Sequence, residues 1–100
     1  MARHKIVWSK EAKEDLLSIL EFYNSRNGNK NYSKKLFLKI NKSIGLVSKA
    51  PFLGKATDEA YVRVFIAEDY AILYEIFDTL ILVQMVWDCR RNPEESRIEF

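Results

Sequence analysis

A chain of 100 residues that is 48% hydrophobic and 13% aromatic, with only three Gly and two Pro, is sized for one packed domain spanning 1–100. That excludes both a disordered chain and a multidomain one. Its net charge of +2 hides a strong asymmetry. From Phe22 to Thr57 there is no acidic residue, while Arg26, Lys30, Lys34, Lys35, Lys39, Lys42, Lys49 and Lys55 place eight positive charges there. Such a block points to a polyanionic partner, against the plainer alternative of a solvated lysine face. The single Cys89 rules out an intrachain disulfide, and no Cys/His cluster has zinc spacing, so neither metal nor cofactor is expected. The N-terminal MARHKIVW lacks the apolar core of an export signal, and the run from Ala71 to Trp87 is interrupted by Glu75, Asp78 and Gln84. A cytoplasmic protein without a membrane segment is expected.

Lys5 to Trp8 reads as a short apolar strand. Ser9 is a good helix N-cap, with Glu11, Glu14 and Asp15 suited to the positive end of the helix. Ala12, Leu16, Ile19, Leu20 and Tyr23 recur at helical spacing, and Asn24 to Asn31 around Gly28 marks a tight connection. A second helix runs from about Asn31 to Ser48, with an apolar stripe of Leu36, Phe37, Ile40, Ile44 and Val47. Lys35, Lys39, Lys42 and Lys49 lie opposite, and Leu38 and Leu46 project among them, where a partner could cover them.

After Pro51 and Gly54 the period changes to two, predicting strands at about Tyr61 to Ile66, Tyr70 to Phe77 and Leu80 to Trp87. With a three-residue loop at Ala67 to Asp69 and a two-residue turn at Asp78-Thr79, Val62, Val64, Ile66, Tyr70, Ile72, Tyr74, Ile76, Ile81, Val83, Met85 and Trp87 share the helix-packing face. Tyr61, Arg63, Phe65, Ala71, Leu73, Glu75, Phe77, Leu80, Leu82, Gln84 and Val86 then share the other, which is apolar enough to call for a partner or for cover by Arg90 to Phe100. The fold class is α+β: an N-terminal strand, a two-helix hairpin and a three-stranded antiparallel meander, β-α-α-β-β-β.

Gly28, Gly45 and Gly54 are isolated, so there is no phosphate loop. His4 sits between Arg3 and Lys5 near the terminus as a surface histidine. The concentrated chemistry is cationic: Lys49 and Lys55 about the helix-to-strand loop, Arg63 on the sheet, and Arg90 and Arg91 after the last strand. Arginine clamps phosphate in a bidentate grip and stabilises anionic transition states. Arg63 could instead pair with Glu75, its diagonal neighbour in this register.

Element order and the segments KIVWSKEAKEDL, FY at the end of the first helix, KAPFLGK, VRVF, YAILYEI and VWDCRRNPEE together resemble the RelE/ParE superfamily of bacterial toxin–antitoxin toxins, over nearly the whole chain. The resemblance implies a small basic toxin silenced by a cognate antitoxin that wraps its surface, as a homodimer or a toxin–antitoxin hetero-oligomer. Antitoxin contacts are expected at Leu38, Leu46, Phe65 and Leu73. RelE-like members cleave messenger RNA on the ribosome without metal, and Arg63 and Arg90 match arginines of their sites. Beyond Arg91, however, this chain has no Tyr or His, which such sites commonly use. ParE-like members inhibit DNA gyrase by binding, and the long helical hairpin with Tyr70, Ile72 and Tyr74 looks more like theirs. On that branch Lys49, Lys55, Arg63, Arg90 and Arg91 would contact the target or nucleic acid. A binding module that keeps the fold without toxicity is a third reading.

Overall fold

A computed structural model describes residues 3–89. Strand β1 (Lys5–Trp8) leads into helix α1 (Lys10–Asn27) and helix α2 (Asn31–Lys49). A 3-10 turn at Pro51–Leu53 follows, then strands β2 (Lys55–Ala56), β3 (Val62–Ala67), β4 (Tyr70–Ile76) and β5 (Leu80–Asp88). One five-stranded sheet results, in the order β1-β5-β4-β3-β2. Only the β1–β5 pair is parallel. Among the described residues, no helix is long and apolar enough to cross a membrane.

Local chemistry sets the helix ends. The Ser9 hydroxyl accepts from the Ala12 N–H at 3.1 Å, capping α1, and Gly28 closes it at φ 68 with its N–H donating to the Asn24 carbonyl, the left-handed conformation that glycine adopts without strain. The turn is then tied across the hairpin, where the Ser33 hydroxyl bonds to the Asn24 side chain and to the Lys30 carbonyl. Ala12, Leu16, Ile19 and Tyr23 of α1, and Leu36, Ile40, Ile44 and Val47 of α2, are buried against one face of the sheet. Phe37, expected in that stripe, stays 41% exposed.

The strands depart from the sequence reading in two places, and both reverse faces. Ala67 pairs with Tyr70, so the β3–β4 link is a two-residue turn, Glu68-Asp69, with Glu68 at φ 56. One residue fewer in the loop inverts every side chain of β3. Phe65 therefore packs under the helices with Ala67, and Val64 goes to the far face. In β5, Tyr74 pairs with Val83 but Leu73 with Met85, leaving Gln84 as the extra residue of a β-bulge. Beyond it the parity changes: Val86 joins the helix-side core, while Met85 and Trp87 join Val64, Ala71 and Leu73 on the opposite face. Helix α1 supplies the bonds that the bulge frees. The Ser9 hydroxyl donates to the Gln84 carbonyl at 3.0 Å, and the Val86 N–H donates to the Asp15 carboxylate at 3.1 Å. Strand β2, absent from the sequence reading, is only two residues long and has no periodicity of its own to reveal it.

Candidate functional site

The helix-to-strand loop is built around a buried tyrosine. Tyr74 is 1% exposed. Its hydroxyl donates to the Pro51 carbonyl at 2.7 Å and accepts from the Gly54 N–H at 2.9 Å. Burial raises the Tyr74 pKa, opposed by the Gly54 hydrogen bond and by the positive charge of Arg63. Arg63 lies opposite Tyr74 in the β3–β4 ladder. Its guanidinium donates to the carbonyls of Gly54 at 2.7 Å and Phe52 at 3.2 Å, and stands 4.8 Å from the centre of the Phe52 ring.

This corrects the expected placement of Arg63 on the open sheet face beside Glu75. Glu75 instead pairs with Val62 across the ladder and accepts a hydrogen bond from the Gln84 side chain at 2.8 Å. The two-residue turn accounts for the change, because it moves Arg63 to the face of Tyr74. Lys49 and Lys55 flank the same loop in sequence and are exposed, but Lys55 pairs with Val64 and Arg63 with Ala56, so the Lys55 and Arg63 side chains leave opposite faces of the sheet. Arg90 and Arg91 lie outside the described residues, as does the expected fold-back of Arg90 to Phe100.

Of the four expected antitoxin contacts, two lie together on α2, while the two expected to share the open sheet face, Phe65 and Leu73, lie on opposite faces. Leu38 and Leu46 are 66% and 47% exposed among the lysines of α2, as the helical spacing indicated. Phe65 is half-buried beneath the helices, and Leu73 is half-buried on the far face of the sheet. Lys39 on this basic face pairs with Glu68 of the β3–β4 turn at 3.4 Å, an exposed contact of little energetic weight. Phe52 and Leu53, at 60% and 50% exposure, were not singled out from the sequence. The signal available was a pair of large apolar residues bracketed by Pro51 and Gly54 just where the helical stripe ends.

Chemically, the loop presents cations and apolar side chains, with one guanidinium already committed to carbonyl acceptors. Among the described residues, no cluster of three or more His, Cys, Asp or Glu could hold a metal ion. The family model described as ParE toxin of type II toxin-antitoxin system, parDE, matches residues 6–93. No curated protein matches the chain. Among solved structures, the chromosomal ParDE toxin–antitoxin system from P. aeruginosa superposes with a TM-score of 0.73 at 16% identity, covering 86% of this chain and 96% of that one. The RelBE2 toxin–antitoxin complex from Mycobacterium tuberculosis superposes with a TM-score of 0.58 at 17% identity, covering 84% and 95%. At such identities the superpositions speak for the fold, and the match over residues 6–93 speaks for the lineage: this chain belongs to the ParE toxin family of type II toxin–antitoxin systems, within the RelE/ParE superfamily.

Proposed function

We propose that this protein is a growth-inhibiting toxin that acts by binding DNA gyrase, and that a cognate antitoxin neutralises it. The observation that carries the binding reading over messenger RNA cleavage is the state of Arg63. A catalytic arginine must offer free N–H groups to the scissile phosphate, where they gain most in the transition state. Here Nη1 donates to both the Phe52 and Gly54 carbonyls and the guanidinium stands 4.8 Å from the centre of the Phe52 ring, which turns it toward its own loop and suits a group that shapes a surface. The family match is to ParE, which favours the same branch. The basic face of α2, with Leu38 and Leu46 exposed on it, suits an acidic, amphipathic antitoxin segment whose charge speeds encounter and whose apolar side chains slow release.

Induction in bacteria, with plasmid topology and messenger RNA integrity followed together, tests the target. Gyrase inhibition gives relaxed plasmid or gyrase-linked DNA breaks while transcripts stay intact. Prompt transcript cleavage with normal supercoiling would reassign the protein to the ribonuclease branch. Growth without arrest at high protein level would leave a non-toxic binding module.

A further inference from the structure

The loop from Pro51 to Lys55 combines a fixed backbone with wasted apolar surface. Besides the two bonds to the Tyr74 hydroxyl and the two from Arg63, the Leu53 N–H donates to the Ala50 carbonyl at 3.0 Å. Lys55 and Ala56 then enter the sheet opposite Val64 and Arg63. Gly54 is buried so closely that a Cβ there would stand 2.6 Å from the Tyr74 hydroxyl and 2.8 Å from the Val64 carbonyl. All this anchoring holds out Phe52 and Leu53, which are 60% and 50% exposed and so contribute little to the core. The Arg63 guanidinium stands against the Phe52 ring, and Lys49 and Lys55 flank the loop in sequence, at the end of a stretch from Phe22 to Thr57 that contains no carboxylate. The nearest acidic residues in sequence are Asp58 and Glu59, in the turn before β3.

From this geometry we infer that the Pro51–Lys55 loop is the anchor by which the toxin docks on its target, and that the docking site is an acidic protein surface with an apolar pocket that receives Phe52 and Leu53. The inference rests on the reading that the target is a protein, gyrase. Charge complementarity selects an acidic surface, and the anchors select protein over nucleic acid. Leu53 has no ring on which a base could stack, and the Arg63 guanidinium already lies against the Phe52 ring, whereas sequence-tolerant nucleic-acid binding relies on free aromatic faces. A loop held in its bound shape loses little conformational freedom on docking, and large exposed apolar side chains on a cationic surface form the usual pattern of an energetic anchor.

The test measures binding of the full-length toxin to purified gyrase holoenzyme and to a single-stranded RNA oligonucleotide, using wild type, Leu53→Ser, the double variant Phe52→Ser/Leu53→Ser, Lys49→Glu/Lys55→Glu, and Leu17→Ser as an exposed-leucine control. Thermal melting verifies that each is folded. The expected result is at least a tenfold weaker Kd for gyrase in the double variant, a smaller loss in Leu53→Ser that leaves the Phe52–Arg63 contact in place, slower association in the lysine variant, and no change in Leu17→Ser. Gyrase binding that survives in the folded double variant overturns the inference and leaves the gyrase reading standing. So does a loss confined to RNA binding. A wild-type toxin that does not bind gyrase overturns both together.

Discussion

Tyr74 is the residue on which the helix-to-strand loop depends, because one hydroxyl satisfies both the part-buried Pro51 carbonyl and the buried Gly54 N–H. Tyr74→Phe removes both bonds and is expected to cost about 1 to 3 kcal/mol at neutral pH, read by urea denaturation. Its raised pKa adds a pH signature. A phenol kept neutral in the fold contributes stability fully below its unfolded value of about 10, and loses it as pH rises toward the folded value. The stability gap between wild type and Tyr74→Phe should therefore narrow above about pH 10. Gly54→Ala pushes a methyl into the Tyr74 hydroxyl and the Val64 carbonyl, a steric conflict expected to cost about 1 to 3 kcal/mol, as overpacking does. A melting temperature equal to wild type in Gly54→Ala would mean that the loop yields easily. Arg63 belongs to the same unit, so Arg63→Lys is expected to loosen the loop although the charge is kept, since an ammonium is a compact point charge that does not reproduce the planar guanidinium's bonds to the two carbonyls together with its contact with the Phe52 ring.

At the scale of elements, the register of β3 and the bulge in β5 decide which residues see the helices. Ile72 and Val83 are 2% and 1% exposed, and truncating either to Ala is expected to cost about 2 to 4 kcal/mol. The sharper check uses adjacent residues of β3. Phe65 packs under the helices while Ile66 is 52% exposed, so Phe65→Ser should be strongly destabilising and Ile66→Ser mild. The opposite order in a denaturation series would restore the three-residue loop. The bulge at Gln84 has its own dependence. The Ser9 hydroxyl both caps α1 and donates to the Gln84 carbonyl, so Ser9→Ala loses a cap worth about 1 kcal/mol together with a bond from helix to sheet.

Across the whole molecule, charge and apolar surface are segregated. The helical hairpin and the loop after it are free of carboxylates from Phe22 to Thr57, and exposed Leu38, Leu46, Phe52 and Leu53 sit within that positive region. Electrostatic attraction of this kind acts mainly on the association rate, and salt screens it over a Debye length that falls from about 10 Å to about 3 Å between 0.1 and 1 M. Antitoxin association is therefore expected to slow steeply with salt, and Leu38→Ser/Leu46→Ser to raise the dissociation rate instead. Stopped-flow binding separates the two. Salt-independent association would remove the lysine block from the antitoxin encounter.

Periodicity and capping chemistry were enough for the helices. Ser9, Gly28 and the stripes of Ala12, Leu16, Ile19, Leu36, Ile40 and Ile44 are written at fixed spacings within one element, so the two-helix hairpin and the change to period two after Gly54 were legible from the sequence, as was the charge block. The side of the sheet on which Arg63 and Phe65 lie was not. Strand alternation repeats every two residues, so one residue more or less in a turn inverts a face while leaving the pattern of apolar residues intact. Glu68-Asp69 contains no glycine to announce the tight turn, and Gln84 nothing to announce the bulge, because its freed backbone groups are satisfied by Ser9 and Asp15 from far along the chain. The role of Arg63 was decided in the same way, since its carbonyl acceptors on Phe52 and Gly54 come within reach only when Tyr74 draws the loop onto the sheet.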